Sequence, residues 1–277
     1  MSGVSAITDR RYNLPAMKVA AAQIACVPGD IAANLGKIRN FTEQAKDTGA
    51  DLIVFPEMVD TGYAMQLIQK HATSWNEGAV PELRAIAKKL SIPMVAGVSE
   101  RDGSRIYNAQ AFINRSGEIV TKYRKTHLVA AAPLDERPYF TPGGEFSSSR
   151  IDEFVLGLTI CYDLRFPEVS RALVVDHEVN VIINSSAWPF PRVEHLRVLA
   201  LARAIENQSY LILANRVGTD DGVTFCGTSA IIDPYGVILA GASADREELI
   251  MAEISEEVLK SVRDRMRVFE HRRDDLY

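Results

Sequence analysis

The chain has few of the residues from which metal sites and disulfide frameworks are built. It contains three cysteines in 277 residues, and no two of them form a C-x-x-C pair. An odd, sparse set of thiols argues against a disulfide scaffold, and the missing pair argues against a thiolate zinc site. The five histidines are scattered, and none are spaced four apart as a helical metal site requires. We therefore predict that no metal is bound.

Long apolar segments and an excess of basic charge are also lacking. No run of about 18 apolar residues occurs, so no segment is expected to span a membrane. A net charge of −5 provides no electrostatic footprint for nucleic acid or for an anionic membrane. Residues 1–16 lack the apolar core of a secretory signal. They are predicted to be a short N-terminal extension of a protein that works in the reducing cytoplasm.

The remaining residues, 17–277, contain no linker rich in Pro, Gly or Ser and are predicted to form a single domain. Buried strands are predicted at 17–25, 51–55, 93–99, 153–161, 179–187, 209–217 and 248–254. Helices are predicted at 30–49, 80–92, 167–175 and 193–208, and after Ser255, and hairpins at 105–125 and 228–242. This alternation is typical of an α/β protein with a mixed sheet. No internal repeat is found.

The tripeptide Phe-Pro-Glu occurs twice, in different contexts. Glu57 ends a buried strand and precedes a loop, so its carboxylate is delivered to the sheet edge where α/β proteins place ligands. Partial burial there would raise its pKa and suit it to general base catalysis, although an ordinary surface glutamate has the same pattern. Glu168 instead follows Pro167 in the first turn of a predicted helix, where the dipole favours a carboxylate. This second copy is predicted to be a structural cap.

Two further side chains could act with Glu57. Cys161 ends a strand just before the helix that begins at Pro167, and a nucleophile at such a junction has free backbone N–H groups beside it. Its alternative role is that of a small core residue. Lys125 lies in the basic segment "KYRKTHL" (122–128) and could point inward. An inward ammonium would favour a neighbouring carboxylate and thiolate and would stabilise an oxyanion.

The motifs "LIVFPE", "KYRKTHL" and "LTICYDLRFPE", in this order and at these separations, resemble those of the nitrilase superfamily of carbon–nitrogen hydrolases. The resemblance implies a four-layer α-β-β-α sandwich, an enzyme without metal or organic cofactor, and a homodimer or higher homo-oligomer that packs sheet-flanking helices together. It assigns Glu57 as general base, Lys125 as the oxyanion-binding cation and Cys161 as nucleophile. The segment "DERPYFTPGG" (135–144) matches the one that carries a second active-site glutamate, which would be Glu136.

The resemblance also suggests a substrate. Tyr162 and Asp163 follow the cysteine where nitrile-cleaving members have tryptophan and glutamate, which favours amides or carbamoyl compounds over nitriles. The segments 185–192 and 202–218 resemble ω-amidases, which release ammonia from small ω-amides of dicarboxylic acids through a thioester. Such a substrate needs a cation for its distal carboxylate. Arg192 and Arg216 are candidates, although a structural role is favoured for each. Pocket-lining roles are predicted for three aromatic residues: Tyr63, Tyr162 and Trp188.

Several alternatives stay open at this point. The segment "ERPYFTPG" also resembles N-carbamoyl amine and amino-acid amidohydrolases, whose substrates release carbon dioxide together with ammonia. A nitrilase is a less favoured reading. A papain-like enzyme would need a histidine partner for the cysteine, and no histidine here has a supporting motif. A catalytically inactive binding protein would be expected to have lost Glu57, Lys125 or Cys161, yet all three are present.

Overall fold

The computed structural model describes residues 16–131 and 134–276. Its strands are β1 (Ala16–Gln23), β2 (Leu52–Val54), β3 (Met94–Asp102), β4 (Arg105–Ile113), β5 (Ile119–Arg124), β6 (Ala130–Ala131), β7 (Leu134–Asp135), β8 (Ser147–Ile151), β9 (Phe154–Ile160), β10 (Val181–Ser185), β11 (Tyr210–Ala214), β12 (Thr219–Asp220), β13 (Val223–Thr224), β14 (Ala230–Ile232), β15 (Ile238–Gly241) and β16 (Glu248–Ser255). Its helices are α1 (Ile31–Asp47), α2 (Met65–His71), α3 (Ala79–Leu90), α4 (Pro167–Asp176), α5 (Val193–Asn207) and α6 (Glu256–Arg265).

Two six-stranded sheets form the framework. The first has the order β16-β1-β2-β3-β4-β5, and the second has the order β15-β14-β11-β10-β9-β8. In the first sheet β1, β2 and β3 are parallel, and in the second β9, β10 and β11 are parallel. Antiparallel strands flank each parallel trio, one on one side and two on the other. The two sheets therefore share one topology, although the sequence shows no repeat.

The apolar side chains of both sheets explain the layers. One cluster joins inward residues of the first sheet, such as Val19 and Val54, to the second sheet and its covering helices through Leu158 and Leu196. Another packs the outer face of the first sheet, including Ile53, against α1 and α3. A parallel strand that is covered on both faces is apolar throughout, as β9 is. The predicted four-layer α-β-β-α sandwich is confirmed.

The predicted elements agree with the observed ones over most of the chain. Ala16 already belongs to β1, so it is not part of the predicted extension, and residues 1–15 lie outside the described part. Three features had no prediction: the short helix α2, the edge strand β8 and the small hairpins near 130 and 220. Among residues 16–131 and 134–276, no helix is long and apolar enough to cross a membrane.

Candidate active site

Cys161 occupies a sharp turn between β9 and α4. All residues of β9 are buried, and the strand ends at Ile160. Cys161 then takes a left-handed conformation with φ of 42°. One 3₁₀ turn, Cys161–Arg165, leads to Pro167 at the first position of α4. The predicted junction is confirmed, and its positive φ is uncommon for a residue other than glycine.

Glu57 lies just beyond the end of β2, with its side chain fully buried. Pro56 ends the strand because it lacks an N–H, but its carbonyl still accepts from Gly97 of β3 at 3.1 Å. A Cβ on Gly97 would lie 2.6 Å from the Glu57 Cα, so only glycine permits this approach. The Glu57 Oε2 atom accepts from the Ala187 N–H at 2.7 Å.

Lys125 and Glu136 complete a buried cluster with Glu57. The Lys125 Nζ atom donates to Glu57 Oε1 and to Glu136 Oε1, each at 2.9 Å. The Lys125 N–H continues the β4–β5 ladder by donating to the Asn108 carbonyl at 2.8 Å. Glu136 follows β7, and its Oε2 atom accepts from the Val129 N–H at 2.7 Å. The structure thus brings together the three predicted side chains and also Glu136.

Burial sets the electrostatics of this cluster. It raises the pKa of Glu57, and the Lys125 ammonium reverses only part of that effect. Burial alone would lower the pKa of Lys125, but Glu136 and Glu57 outweigh it and hold that pKa above its ordinary value. The sequence-based expectation that Glu57 has a raised pKa agrees with this direction. Lys125 remains an ammonium and leaves Glu57 as the group suited to exchange a proton.

The thiol of Cys161 has a raised pKa. Burial is the main cause and the Glu57 carboxylate the second, whereas Lys125 and the Ala187 N–H act in the opposite direction. Lys125 therefore favours the thiolate, as expected, but its effect on the pKa of Cys161 is smaller than that of burial. Because the resting sulfur holds its proton, attack requires a neighbouring base to remove it.

Asp163 fastens the Cys161 turn to the segment that carries Lys125. Its Oδ2 atom accepts from the Ile160 N–H at 2.9 Å and from the Tyr123 hydroxyl at 2.8 Å. Its Oδ1 atom accepts from the Thr126 hydroxyl at 3.2 Å and from the His127 N–H at 3.1 Å. This fully buried carboxylate therefore joins the residues on either side of Lys125 to the turn at Cys161–Arg165, which we call the elbow.

A cavity of about 230 Å³ opens onto Cys161. The three predicted aromatic residues, Tyr63, Tyr162 and Trp188, all line it. Tyr63 also donates from its hydroxyl to Glu136 Oε1 at 2.6 Å. Arg192, a predicted cation, lines the cavity too, and so does Arg165, which had not been singled out. The Arg165 guanidinium lies 4.6 Å from the Trp188 ring centroid.

Arg216 is not part of this cavity, and of its two possible roles the structure supports the structural one. Its side chain is fully buried, and Nη2 donates to Asp220 at 2.5 Å. Asp220 in turn accepts from the Tyr63 N–H at 2.8 Å. The pair acts as a support for the loop that carries Tyr63.

Two buried polar residues were missed because their partners are distant in sequence. Asn108 contacts both glutamates, and Asp163 contacts the Lys125 segment. Asn108 could have been noticed as one of two amides in a largely apolar strand, "RIYNAQAFI". Within the two described ranges, no group of three or more His, Cys, Asp or Glu side chains is placed to hold a metal ion.

Comparisons with known proteins identify the class. A family model described as carbon-nitrogen hydrolase matches residues 18–264. The chain is 35% identical over 260 residues to the 2-oxoglutaramate amidase of Bacillus subtilis (strain 168). The aligned region covers 92% of this chain and 98% of that protein. The chain belongs to the carbon–nitrogen hydrolase family, as its resemblance to the nitrilase superfamily implied. It is therefore a hydrolase that acts on carbon–nitrogen bonds other than peptide bonds.

Solved structures agree with this assignment. Nit3 of Saccharomyces cerevisiae, a member of branch 10 of the nitrilase superfamily, has a TM-score of 0.83 and 30% identity over 91% of this chain and 94% of its own. A mutant amidase of Nesterenkonia sp. AN1 has a TM-score of 0.81 and 25% identity over 88% of this chain and 92% of its own. In that protein the acetamide moiety of fluoroacetamide is attached covalently to the active-site cysteine.

Proposed function

We propose that the protein hydrolyses a small ω-amide of a dicarboxylic acid to the diacid and ammonia, with Cys161 as nucleophile. The main observation in support is that two guanidinium groups, those of Arg165 and Arg192, lie on the wall of the cavity that opens onto Cys161. Neither forms an ion pair with a carboxylate in the part of the chain that the structure describes. Two cations without a protein counterion favour a substrate that brings its own carboxylate.

The first half of the reaction forms a thioester. Glu57 takes the proton of the Cys161 thiol while sulfur bonds to the amide carbon, and the carbonyl oxygen becomes an oxyanion. The Lys125 ammonium, which contacts Glu57 Oε1 and both oxygens of Glu136 at 2.9 Å, supplies the positive charge that stabilises the oxyanion. The Tyr162 N–H, in the elbow, is the second donor. The carbon–nitrogen bond then breaks as Glu57 returns the proton to nitrogen, and ammonia leaves.

The second half of the reaction restores the enzyme. Water attacks the thioester carbon while Glu57 takes one of its protons, and the carbon–sulfur bond breaks. The sulfur recovers that proton, and a carboxylic acid is released. Glu136 keeps Lys125 charged and fixes Tyr63 at the cavity wall through its hydroxyl. No step draws on a metal or an organic cofactor.

An ammonia-release screen tests this proposal. The substrates are ω-amides of dicarboxylates, matched neutral aliphatic amides, N-carbamoyl compounds and nitriles. We expect turnover to be fastest with ω-amides, no carbon dioxide to be released, and Cys161→Ala to retain the fold without activity. Carbon dioxide released in equal amount to ammonia would favour the carbamoyl alternative. Activity on nitriles alone, or full activity in Cys161→Ala, would contradict the proposal.

The two arginines can be tested separately from the chemistry. Arg165→Met and Arg192→Met keep much of the side-chain length while removing the charge. Loss of a hydrogen bond to a charged group should raise KM for the ω-amide about 10- to 100-fold in at least one of them. Turnover of a neutral amide of the same length should be unchanged, because that substrate has no carboxylate to bind. An equal loss on both substrates would contradict a carboxylate-binding role.

We also propose that residues 17–277 act as one domain and assemble as a homodimer through α5. The continuous family match over residues 18–264 supports the single domain. On α5, Val198 and Ile205 are 54% and 51% exposed, although the opposite face of the helix is buried. Sedimentation of Val198→Glu and Ile205→Glu variants should show monomers where the unmodified chain gives dimers. Monomers for the unmodified chain would contradict this interface.

A further inference from the structure

Asn108 lies at the centre of the buried cluster, and none of the roles above uses its side chain. It belongs to β4 and is 1% exposed. Its Nδ2 atom donates to Glu57 Oε1 at 2.5 Å and to Glu136 Oε1 at 3.1 Å. These are the two oxygens that Lys125 Nζ also joins. One ammonium and one neutral amide therefore bridge the same pair of carboxylate oxygens from two sides.

The orientation of this amide is fixed by charge. Turning it over would place the carbonyl oxygen of Asn108 against two carboxylates. In the observed orientation that Oδ1 atom is buried and has no hydrogen-bond partner within the described ranges. A buried acceptor without a partner typically destabilises a protein by about 1–3 kcal/mol. The side chain is therefore held by the contacts of Nδ2 with the two carboxylates and not by its oxygen.

The bridge makes the two oxygens of Glu57 unequal. Among the residues that the structure describes, Oε1 accepts from Lys125 and Asn108, whereas Oε2 accepts from the Ala187 N–H alone. The same N–H also acts on the Cys161 sulfur. Oε2 is therefore the less heavily hydrogen-bonded oxygen of Glu57, and a proton binds there at less cost to the existing hydrogen bonds.

We propose that Asn108 is a positioning residue: with Lys125 it clamps Glu57 and Glu136 together and directs the transferred proton to Oε2 of Glu57. This inference rests on the proposed role of Glu57 as the base. The ionisable groups that act on Glu57 are Lys125, Glu136 and Cys161, and Tyr63 reaches it through Glu136. Asn108 adds a neutral side-chain donor to these ionisable groups, and its hydrogen bond favours the carboxylate form of Glu57.

The test compares two buried amides of the same strand. Gln110 is fully buried and donates to the Ser185 hydroxyl at 2.7 Å, and its carbonyl oxygen also has no partner in the part of the chain that the structure describes. Asn108→Leu should lower kcat/KM about 10- to 100-fold, as expected for losing a hydrogen bond to a charged group. It should also move the acid limb of the kcat/KM profile to higher pH. Gln110→Met should leave that limb in place, even where it lowers Tm.

Two additional measurements keep the test decisive. If Asn108→Leu does not fold, Asn108→Ser, which is small and cannot bridge both oxygens, is expected to show the same displaced limb. The pH dependence of Cys161 alkylation, followed on its peptide by mass spectrometry, should move in the same direction. An unmoved limb in a folded Asn108 variant, or an equal displacement in Gln110→Met, would overturn the inference. Full activity in Glu57→Gln would instead refute the proposed base, so the two failures are distinguishable.

Discussion

The two Phe-Pro-Glu segments place identical residues in opposite environments. Glu57 follows β2 and is fully buried against Lys125, whereas Glu168 lies in the first turn of α4 and is exposed. Pro56 comes after a strand and before a loop, whereas Pro167 comes after a 3₁₀ turn and begins a helix. A tripeptide therefore does not define a catalytic carboxylate. The role of the glutamate depends on the element that carries it and on the side chains that surround it there.

The largest expected effect is on turnover by the first copy. Glu57→Gln keeps the shape of the side chain but cannot accept a proton, so kcat/KM should fall about 100- to 10,000-fold. Ammonia release under substrate-limited conditions measures it, with circular dichroism as the control for folding. A folded Glu57→Gln enzyme within tenfold of the unmodified rate would remove the distinction between the two glutamates.

The second Phe-Pro-Glu copy should affect activity only through the turn at Cys161 that precedes it, which Asp163 holds in place. Asp163→Asn removes acceptor capacity from a carboxylate that joins the Cys161 turn to the Tyr123–His127 segment. We expect kcat/KM to fall about 10- to 100-fold and Tm to fall by about 4–8 °C. Asp233→Asn is the matched control, since the Asp233 carboxylate accepts from the Tyr235 and Val237 N–H groups in a distant turn. That control should lose stability while keeping its activity.

The stability of Glu57→Gln should depend on pH in a definite direction. The folded pKa of Glu57 is raised, so the folded state holds this proton more tightly than the unfolded state does. Stability is therefore lost as pH rises from the ordinary carboxyl pKa through the folded pKa. A glutamine avoids that loss, and the variant should melt at or above the temperature of the unmodified chain at pH 7. Melting curves between pH 4 and pH 8 should show the advantage shrinking toward acid.

The smallest effect is expected at the exposed glutamate. Glu168→Gln removes a favourable charge from the first turn of α4, and Tm should fall by only about 1–2 °C. Steady-state rates should equal those of the unmodified enzyme, because nothing in the cluster touches this side chain. A tenfold loss of kcat/KM here would show that the two copies are functionally linked.

The elements were predictable where periodicity is strong and the site where motifs are dense. Continuous apolar runs such as β9 and the spacing of α5 identified the framework. The strand β8, with the sequence "SSSRI", carries no such pattern and forms because it pairs with β9. The shared topology of the two sheets was also invisible, since it depends on the order of pairing rather than on repeated residues.

Side-chain roles were predictable only where a single residue suffices. Arg192 and Arg216 have equal charge in the sequence, and only packing separates a cavity wall from a buried pair with Asp220. Asn108 and Asp163 bind partners more than 25 positions away in the sequence. A local pattern therefore shows at most that Asn108 is a polar residue in a largely apolar strand and does not reveal what either side chain contacts. Such contacts arise when the sheets close on each other.

The left-handed backbone of Cys161 has a consequence for engineering. A residue with a Cβ at a φ of 42° bears about 1–2 kcal/mol of conformational strain that glycine would relieve. Replacing the nucleophile by glycine should thus be tolerated, and even rewarded, by any selection for heat resistance alone. Directed evolution of this protein for thermal stability should therefore include a test of ammonia release in every round, because selection for stability alone can favour inactive variants at Cys161.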